Sequence, residues 1–142
     1  MAIRLDAALQ QHIFSQMEAA FPNEGGGFLL GEHQDGDVII RGVVQVENVF
    51  ETEEQYHRYA MTPENWMHME DEADERGLML VGYYHSHPDS PSNPSEYDRE
   101  HALPNFVYII TSVRGGVAAD ITAWLLRDDR TRFDPAELIV TD

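Results

Sequence analysis

The sequence predicts an α/β fold in which a mixed β-sheet is flanked by helices. Three observations lead there. Apolar residues recur at helical spacing in separate stretches. Runs of β-branched and aromatic residues, bounded by Gly, Asp and Pro, lie between and after them. The order of these segments includes at least one strand–helix–strand crossover, which favours a sheet covered by helices over a sandwich or a bundle.

Leu5, Leu9, Ile13 and Met17, with Phe14 and Phe21, fall at helical spacing behind a cap at Asp6, so residues 6–20 read as an amphipathic helix ended by Pro22. Two strands follow, GFLLGE and DVIIRGVVQV, joined around Asp35-Gly36, a dipeptide suited to a tight hairpin turn. MTPENWMHMEDEADERGL reads as a second helix, with Thr62 as N-cap, Pro63 at the first helical position, acids in the early turns and Gly77 at the end. LMLVGYYHSH is a buried strand and SEYDREHAL a short helix stopped by Pro104. FVYIITSV and VAADITAWLL are two more strands turning at Gly115-Gly116, and AELIV reads as a last short strand. Trp66, Met67 and Met69 are assigned to helix packing and Trp124 to a strand position in or near the core. There is no internal repeat, low-complexity tract or linker, so residues 1–142 are expected to form one domain.

Composition removes several function classes. The chain has no cysteine, which excludes a disulfide framework, a thiolate metal site and a thiol nucleophile. Acidic residues number 26 against 9 basic ones, a formal net charge of −17, so nucleic acid, whose binding needs phosphates neutralised by cations, is not the expected partner. The opening MAIRLDAALQQHIF has neither a signal-peptide core nor a transit-peptide composition, and no apolar run approaches a membrane span; a cytoplasmic protein away from the membrane is the expectation.

The stretch that carries chemistry is YHSHPDSPSNPSEYD, residues 84–98. In a strand, residues two apart project from the same face, so His85 and His87 point together while Ser86 points away. Two imidazoles on one rigid strand can grip one metal ion. A catalytic zinc site typically has three protein ligands and an open position for water, and Asp98, returned by the Pro- and Ser-rich loop to the first turn of a helix, is the natural third ligand. The same residues carry a second meaning: Ser95-Glu96-Tyr97-Asp98 also spells a capping box, with Ser95 as N-cap. Glu24, ahead of three glycines, can likewise begin a turn, and Gly25 to Gly27 suit either close backbone approach to a ligand or an unusual turn.

Taken together, His85-Ser86-His87-Pro88, six residues, Ser95, two residues and Asp98 resemble the signature of the JAMM (MPN+) metalloprotease family. That signature includes an upstream glutamate before a cysteine–glycine pair and a short apolar strand; here Glu24 heads EGGGFLLG, and Gly26 takes the place of the cysteine. The resemblance implies a JAB/MPN fold related to that of cytidine deaminases. It implies Zn²⁺ on His85, His87 and Asp98, Glu24 as general base, Ser95 steadying the tetrahedral intermediate, and Ser86 and Pro88 shaping the site. It implies hydrolysis of peptide or isopeptide bonds after the C-terminal Gly-Gly of a ubiquitin-like or sulfur-carrier protein, a deubiquitinase-like activity. Length and the absence of an insertion between Pro88 and Ser95 are similar to the stand-alone prokaryotic members.

Two other readings follow from the same resemblance: a non-catalytic MPN module that binds a ubiquitin-like partner, and a zinc hydrolase of the RadC type, whose motif is also a histidine pair with a downstream Pro-Ser-x-x-Asp. The full set of polar residues argues against the first, and Ser86 with Glu24 against the second. A cytidine deaminase needs zinc-binding cysteines that this chain lacks. The remaining histidines, His12, His33, His57, His68 and His101, are assigned to the surface or to partial packing, although His101 lies on the same helix face as Asp98. Tyr56, Arg58 and Tyr59 fall in a segment expected to border the cleft. Lysine is absent, so the chain cannot itself accept a modifier on a lysine side chain.

Overall fold

The computed structural model describes residues 1–52, 54–55 and 62–142, with Asn48, Val49 and Tyr97 described by their backbone alone. Among the described residues the elements run β1 (Ala2–Asp6), α1 (Ala7–Ala20), β2 (Glu24–Gln34), β3 (Asp37–Phe50), α2 (Pro63–Glu75), β4 (Met79–Pro88), α3 (Glu96–His101), β5 (Val107–Arg114), β6 (Val117–Leu126) and β7 (Phe133–Thr141). The sheet is mixed, as expected: β1 runs parallel to β3 and β7, β4 runs parallel to β5, and the other pairs are antiparallel.

Local chemistry accounts for most boundaries. Asp6 caps α1 by accepting the Leu9 N–H at 2.7 Å, and Thr62 caps α2 by accepting the Asn65 N–H at 3.2 Å, each satisfying a donor the helix leaves orphaned. The hairpin turns place both central residues at positive φ, Asp35 at 53° and Gly36 at 85°, then Gly115 at 57° and Gly116 at 88°, which matches the twist of the strands they join.

Two features depart from the sequence expectation. Residues 2–6 form a strand where the pattern sets Leu5 at helical spacing and starts the helix at residue 6, and the last strand is nine residues long, not the five of AELIV. Their causes are linked, because β1 owes its form to long-range pairing: Ile3 lies opposite Val38 on β3, and Ala2 to Asp6 pair with Glu137 to Thr141 on β7. Asp37 secures this end, accepting the Ala2 N–H at 2.9 Å and Arg4 Nε–H at 3.0 Å. The result is a closed order, β1-β3-β2-β4-β5-β6-β7, where the sequence suggested only a sheet with helices on it.

The sheet curls around α1, which touches β1, β2, β3, β5, β6 and β7. Ile13, Met17 and Ala20, at helical spacing, are buried, and Ile13 and Met17 join Ile3, Leu5, Leu29, Tyr84 and Ile109 in one core. Burying side chains such as Ile13 and Met17 stabilises the fold by roughly 1.5–3 kcal/mol each. A second core on the opposite face gathers Phe28, Tyr83, Tyr108, Met69 and Ala73, with Trp66 packed edge-on to Phe106. Met67, assigned to helix packing from the sequence, is instead 67% exposed, because it falls between the turns that bring Trp66, Met69 and Ala73 to the sheet.

Candidate functional site

The second face also carries the polar cluster. β4 lies between β2 and β5, so its backbone is bonded on both edges: His85 stands opposite Gly26 and beside Ile110, and His87 beside Ser112. Alternation along β4 sends His85 and His87 to the same side, where they are 2% and 5% exposed, while Ser86 turns toward the α1 side and accepts the Gly25 N–H at 3.0 Å.

Asp98 reaches the histidines from α3. The capping box is real: the Asp98 N–H donates to Ser95 Oγ at 3.0 Å, and Asp98 Oδ2 accepts the Ser95 N–H at 2.9 Å. It does not compete with the ligand reading. The box turns the carboxylate toward β4, placing Asp98 Oδ1 3.2 Å from His85 Nε2 and Oδ2 3.5 Å from His87 Nε2, with the two Nε2 atoms 3.1 Å apart.

Those separations can be tested against a metal. Donors about 2.0–2.1 Å from zinc and spread at a tetrahedral angle are roughly 3.3 Å from one another; the two Nε2 atoms are 3.1 Å apart, and one ligand atom from each of the three residues lies within 4.8 Å of the others. Two imidazoles and a carboxylate, all at most 5% exposed, also converge where a buried charge needs a counter-charge. His87 Nδ1 lies 2.9 Å from the Pro91 carbonyl oxygen, which only accepts, so Nδ1 carries the hydrogen and Nε2 keeps its lone pair for a cation. Among the described residues, His85, His87 and Asp98 are the group whose donor atoms lie close enough to share one ion.

Glu24, at the start of β2, is 5% exposed and stands two residues before Gly26, the neighbour of His85, across a shift in the register with β3. Ser95 is half-buried at the head of α3. Gly25 and Gly27 answer to the protein's own packing. A Cβ at Gly25 would lie 2.8 Å from Ala20 Cβ, and one at Gly27 2.3 Å from the Val44 carbonyl oxygen. Burial pushes the Tyr108 phenol well above its ordinary range, so it stays neutral; its oxygen accepts the Leu103 N–H at 2.7 Å, bracing the chain just beyond α3. His12, His33, His68 and His101 are exposed, in line with the sequence assignment. His57, Tyr56, Arg58 and Tyr59 lie outside the described residues.

Sequence reasoning missed a set of residues around the loop 89–94. Ser92 is 3% exposed and bonded to Asp120, Thr122 and Trp124 of β6. No spacing rule pointed to them, since the partners stand 28–32 residues away.

The family model described as prokaryotic homologs of the JAB domain matches residues 6–127, which spans every residue of this site. The chain belongs to that family. A desampylase of Haloferax volcanii is similar to this JAB chain, at 40% identity over 62 residues, 43% of this chain and 45% of the relative; the match spans under half of the relative's length. The solution structure of a Salinibacter ruber protein superimposes with a TM-score of 0.76 at 37% identity, covering all of this chain and 92% of the other. A structure of a metalloprotease-like zinc site, JAMM, in the proteasome and signalosome superimposes with a TM-score of 0.58 at 18% identity, covering 100% and 98%, and so shares the fold.

Proposed function

We propose that this JAB domain is a zinc-dependent hydrolase of peptide or isopeptide bonds that follow the C-terminal Gly-Gly of a ubiquitin-like or sulfur-carrier protein. The observation that carries the reading is the buried trio of His85, His87 and Asp98, close enough to share one ion, with Glu24 buried at the start of the neighbouring strand β2. The segment-level likeness to a desampylase supports the substrate class, and the fold shared with a metalloprotease-like zinc site supports the metal.

A Zn²⁺ ion held there would supply a Lewis acid for the scissile carbonyl and lower the pKa of a water towards ~7. The chain's own groups do the rest. His85 Nε2 and His87 Nε2 would hold the ion from β4, which is paired with β2 as far as His85 and with β5 through both histidines. The Asp98 carboxylate is kept in position by the Ser95 N–H. Glu24 takes a proton from the attacking water and hands it to the departing amine, the role of a general base turned general acid. Ser95, whose Oγ accepts the Asp98 N–H, donates its hydroxyl hydrogen to the oxygen that gains charge as the carbonyl is attacked.

The substrate preference has a steric basis. With the ligands 2–5% exposed, a carbonyl must approach through a narrow opening, which residues without side chains pass most easily. Among the described residues, β3 from Ile40 to Val46 pairs on one side only, with β2. That edge passes Val46, opposite Gly26 and two strands from His85, where an extended tail added as a strand would be led toward the site.

The test is cleavage of a Gly-Gly isopeptide conjugate and of a linear Gly-Gly fusion by the Zn²⁺-loaded protein, followed by mass. Release of a modifier ending in Gly-Gly, abolished by a chelator, is expected. Intact conjugates after prolonged incubation with protein shown to contain zinc would refute the proposal.

A further inference from the structure

We propose that Ser92 and the three β6 side chains that hold it, Asp120, Thr122 and Trp124, form a clamp that positions two of the metal donors, His87 and Asp98; the proposal rests on the metal-centre reading above. Residues 89–94 join the strand that carries the histidines to the helix that carries Asp98. The shape of this loop therefore sets the distance between the two halves of the site. A loop bounded only by solvent would sample many such distances.

This loop is held from several sides. The Ser92 hydroxyl donates to Asp120 Oδ2 at 2.6 Å. The Ser92 carbonyl accepts Thr122 Oγ1–H at 2.6 Å and the Trp124 indole N–H at 3.2 Å, and the same indole nitrogen lies 2.8 Å from Thr122 Oγ1. Two residues earlier, Ser112 Oγ–H donates to the Ser90 carbonyl at 2.5 Å. Asp120, Thr122 and Trp124 alternate along β6 and so share a face, and their strand-neighbours Ser112, Ile110 and Tyr108 lie beside His87, His85 and Tyr83. The clamp is thus built on the face that carries the donors.

Its effect reaches the metal by two covalent steps. The carbonyl just before Ser92 belongs to Pro91, and it is this oxygen that accepts the His87 Nδ1 hydrogen. Holding Ser92 holds that carbonyl, which fixes the His87 tautomer and ring orientation and leaves Nε2 as the donor. In the other direction, three residues beyond Ser92, Ser95 opens the capping box that orients Asp98. Ser92, Asp120, Thr122 and Trp124 are accordingly positioning residues that act through His87 and Asp98.

The experiment measures Zn²⁺ affinity by competition with a chelator, the thermal midpoint of the metal-free protein, and the ¹⁵N resonances of His87 in the metal-free protein. Ser92→Ala and Asp120→Ala are expected to weaken Zn²⁺ binding about ten- to hundredfold, the loss typical of removing a group that orients a ligand. The Nδ1–H tautomer of His87, dominant in the wild type, becomes mixed in Ser92→Ala. Asp120→Asn keeps an acceptor oxygen for Ser92 and is expected to recover most of the affinity. Wild-type affinity and an unchanged His87 tautomer in Ser92→Ala would overturn the clamp, as would an Asp120→Asn variant as weak as Asp120→Ala. Should Asp120→Ala not fold, Thr122→Val, which deletes one hydroxyl and keeps the shape, decides in the same assay: weakened Zn²⁺ binding supports the clamp and undiminished binding overturns it. A wild-type protein that binds no Zn²⁺ would instead refute the metal centre itself, and the clamp with it.

Discussion

Ser95 offers the sharpest separation between structure and chemistry, because one hydroxyl is asked to cap a helix and to stabilise charge. Replacing it with Ala removes the acceptor of the Asp98 N–H, a 3.0 Å bond, and leaves that donor unsatisfied at the head of α3. Loss of an N-cap costs about 1 kcal/mol, within a range of roughly 0.5–2, so the thermal midpoint should fall by a few degrees. Loss of an oxyanion donor costs more where it matters: turnover falls about 10²–10³-fold. Ser95→Gly splits the two effects. Glycine at an N-cap is only a few tenths of a kcal/mol worse than serine, so its stability should stay near wild type, yet it has no hydroxyl and its turnover should fall as far as that of Ser95→Ala. The assay is steady-state cleavage of a Gly-Gly conjugate with zinc content checked in each variant, alongside thermal denaturation. Turnover that follows stability, with Ser95→Gly cleaving like wild type, would refute the catalytic role and reduce Ser95 to a cap.

Three further outcomes are expected. Glu24→Gln should retain one Zn²⁺ per chain while turnover falls about 10²–10⁴-fold, read by metal analysis and kinetics together, since the amide cannot accept the proton of the attacking water. Gly82→Ala should destabilise the protein by about 1–3 kcal/mol in urea unfolding, because a Cβ there would stand 1.9 Å from the Val107 carbonyl oxygen and force β4 from β5. Asp37 is held below its ordinary value of 3.8, first by the bond from the Ala2 N–H and then by Arg4. A depressed acid stabilises the folded state above its unfolded value and loses that contribution as pH falls through the folded one. Asp37→Asn should therefore lower the thermal midpoint at neutral pH and narrow its gap from wild type below about pH 4.

How much of this was legible in the sequence depends on how far apart the interacting residues are. The turns, caps and strand alternation are local, so Thr62, Asp35-Gly36 and the same-face placement of His85 and His87 could be read directly. The return of Asp98 to the histidines was legible through the length of one loop. What the sequence posed as a choice, cap or ligand, the structure makes compatible: Asp98 accepts from Ser95 and still faces two Nε2 atoms. The closed order of strands was not legible, because β1 is five residues whose partners lie 35 and 135 positions away. Nor was the hold on Ser92, a serine among several in its loop, distinguished only by what β6 brings to it. Gly25 and Gly27 suggested a ligand, but their need arises from α1 and β3 pressing on β2, which only the packed structure shows.

The most direct measurement is the anomalous diffraction signal of crystals grown with Zn²⁺. The account predicts one strong peak per chain, about 2.0–2.2 Å from His85 Nε2, His87 Nε2 and an Asp98 carboxylate oxygen, with a remaining position turned toward Glu24 and Ser95. A protein that takes up zinc only at other residues, leaving these three donors without it, would contradict the account at its centre.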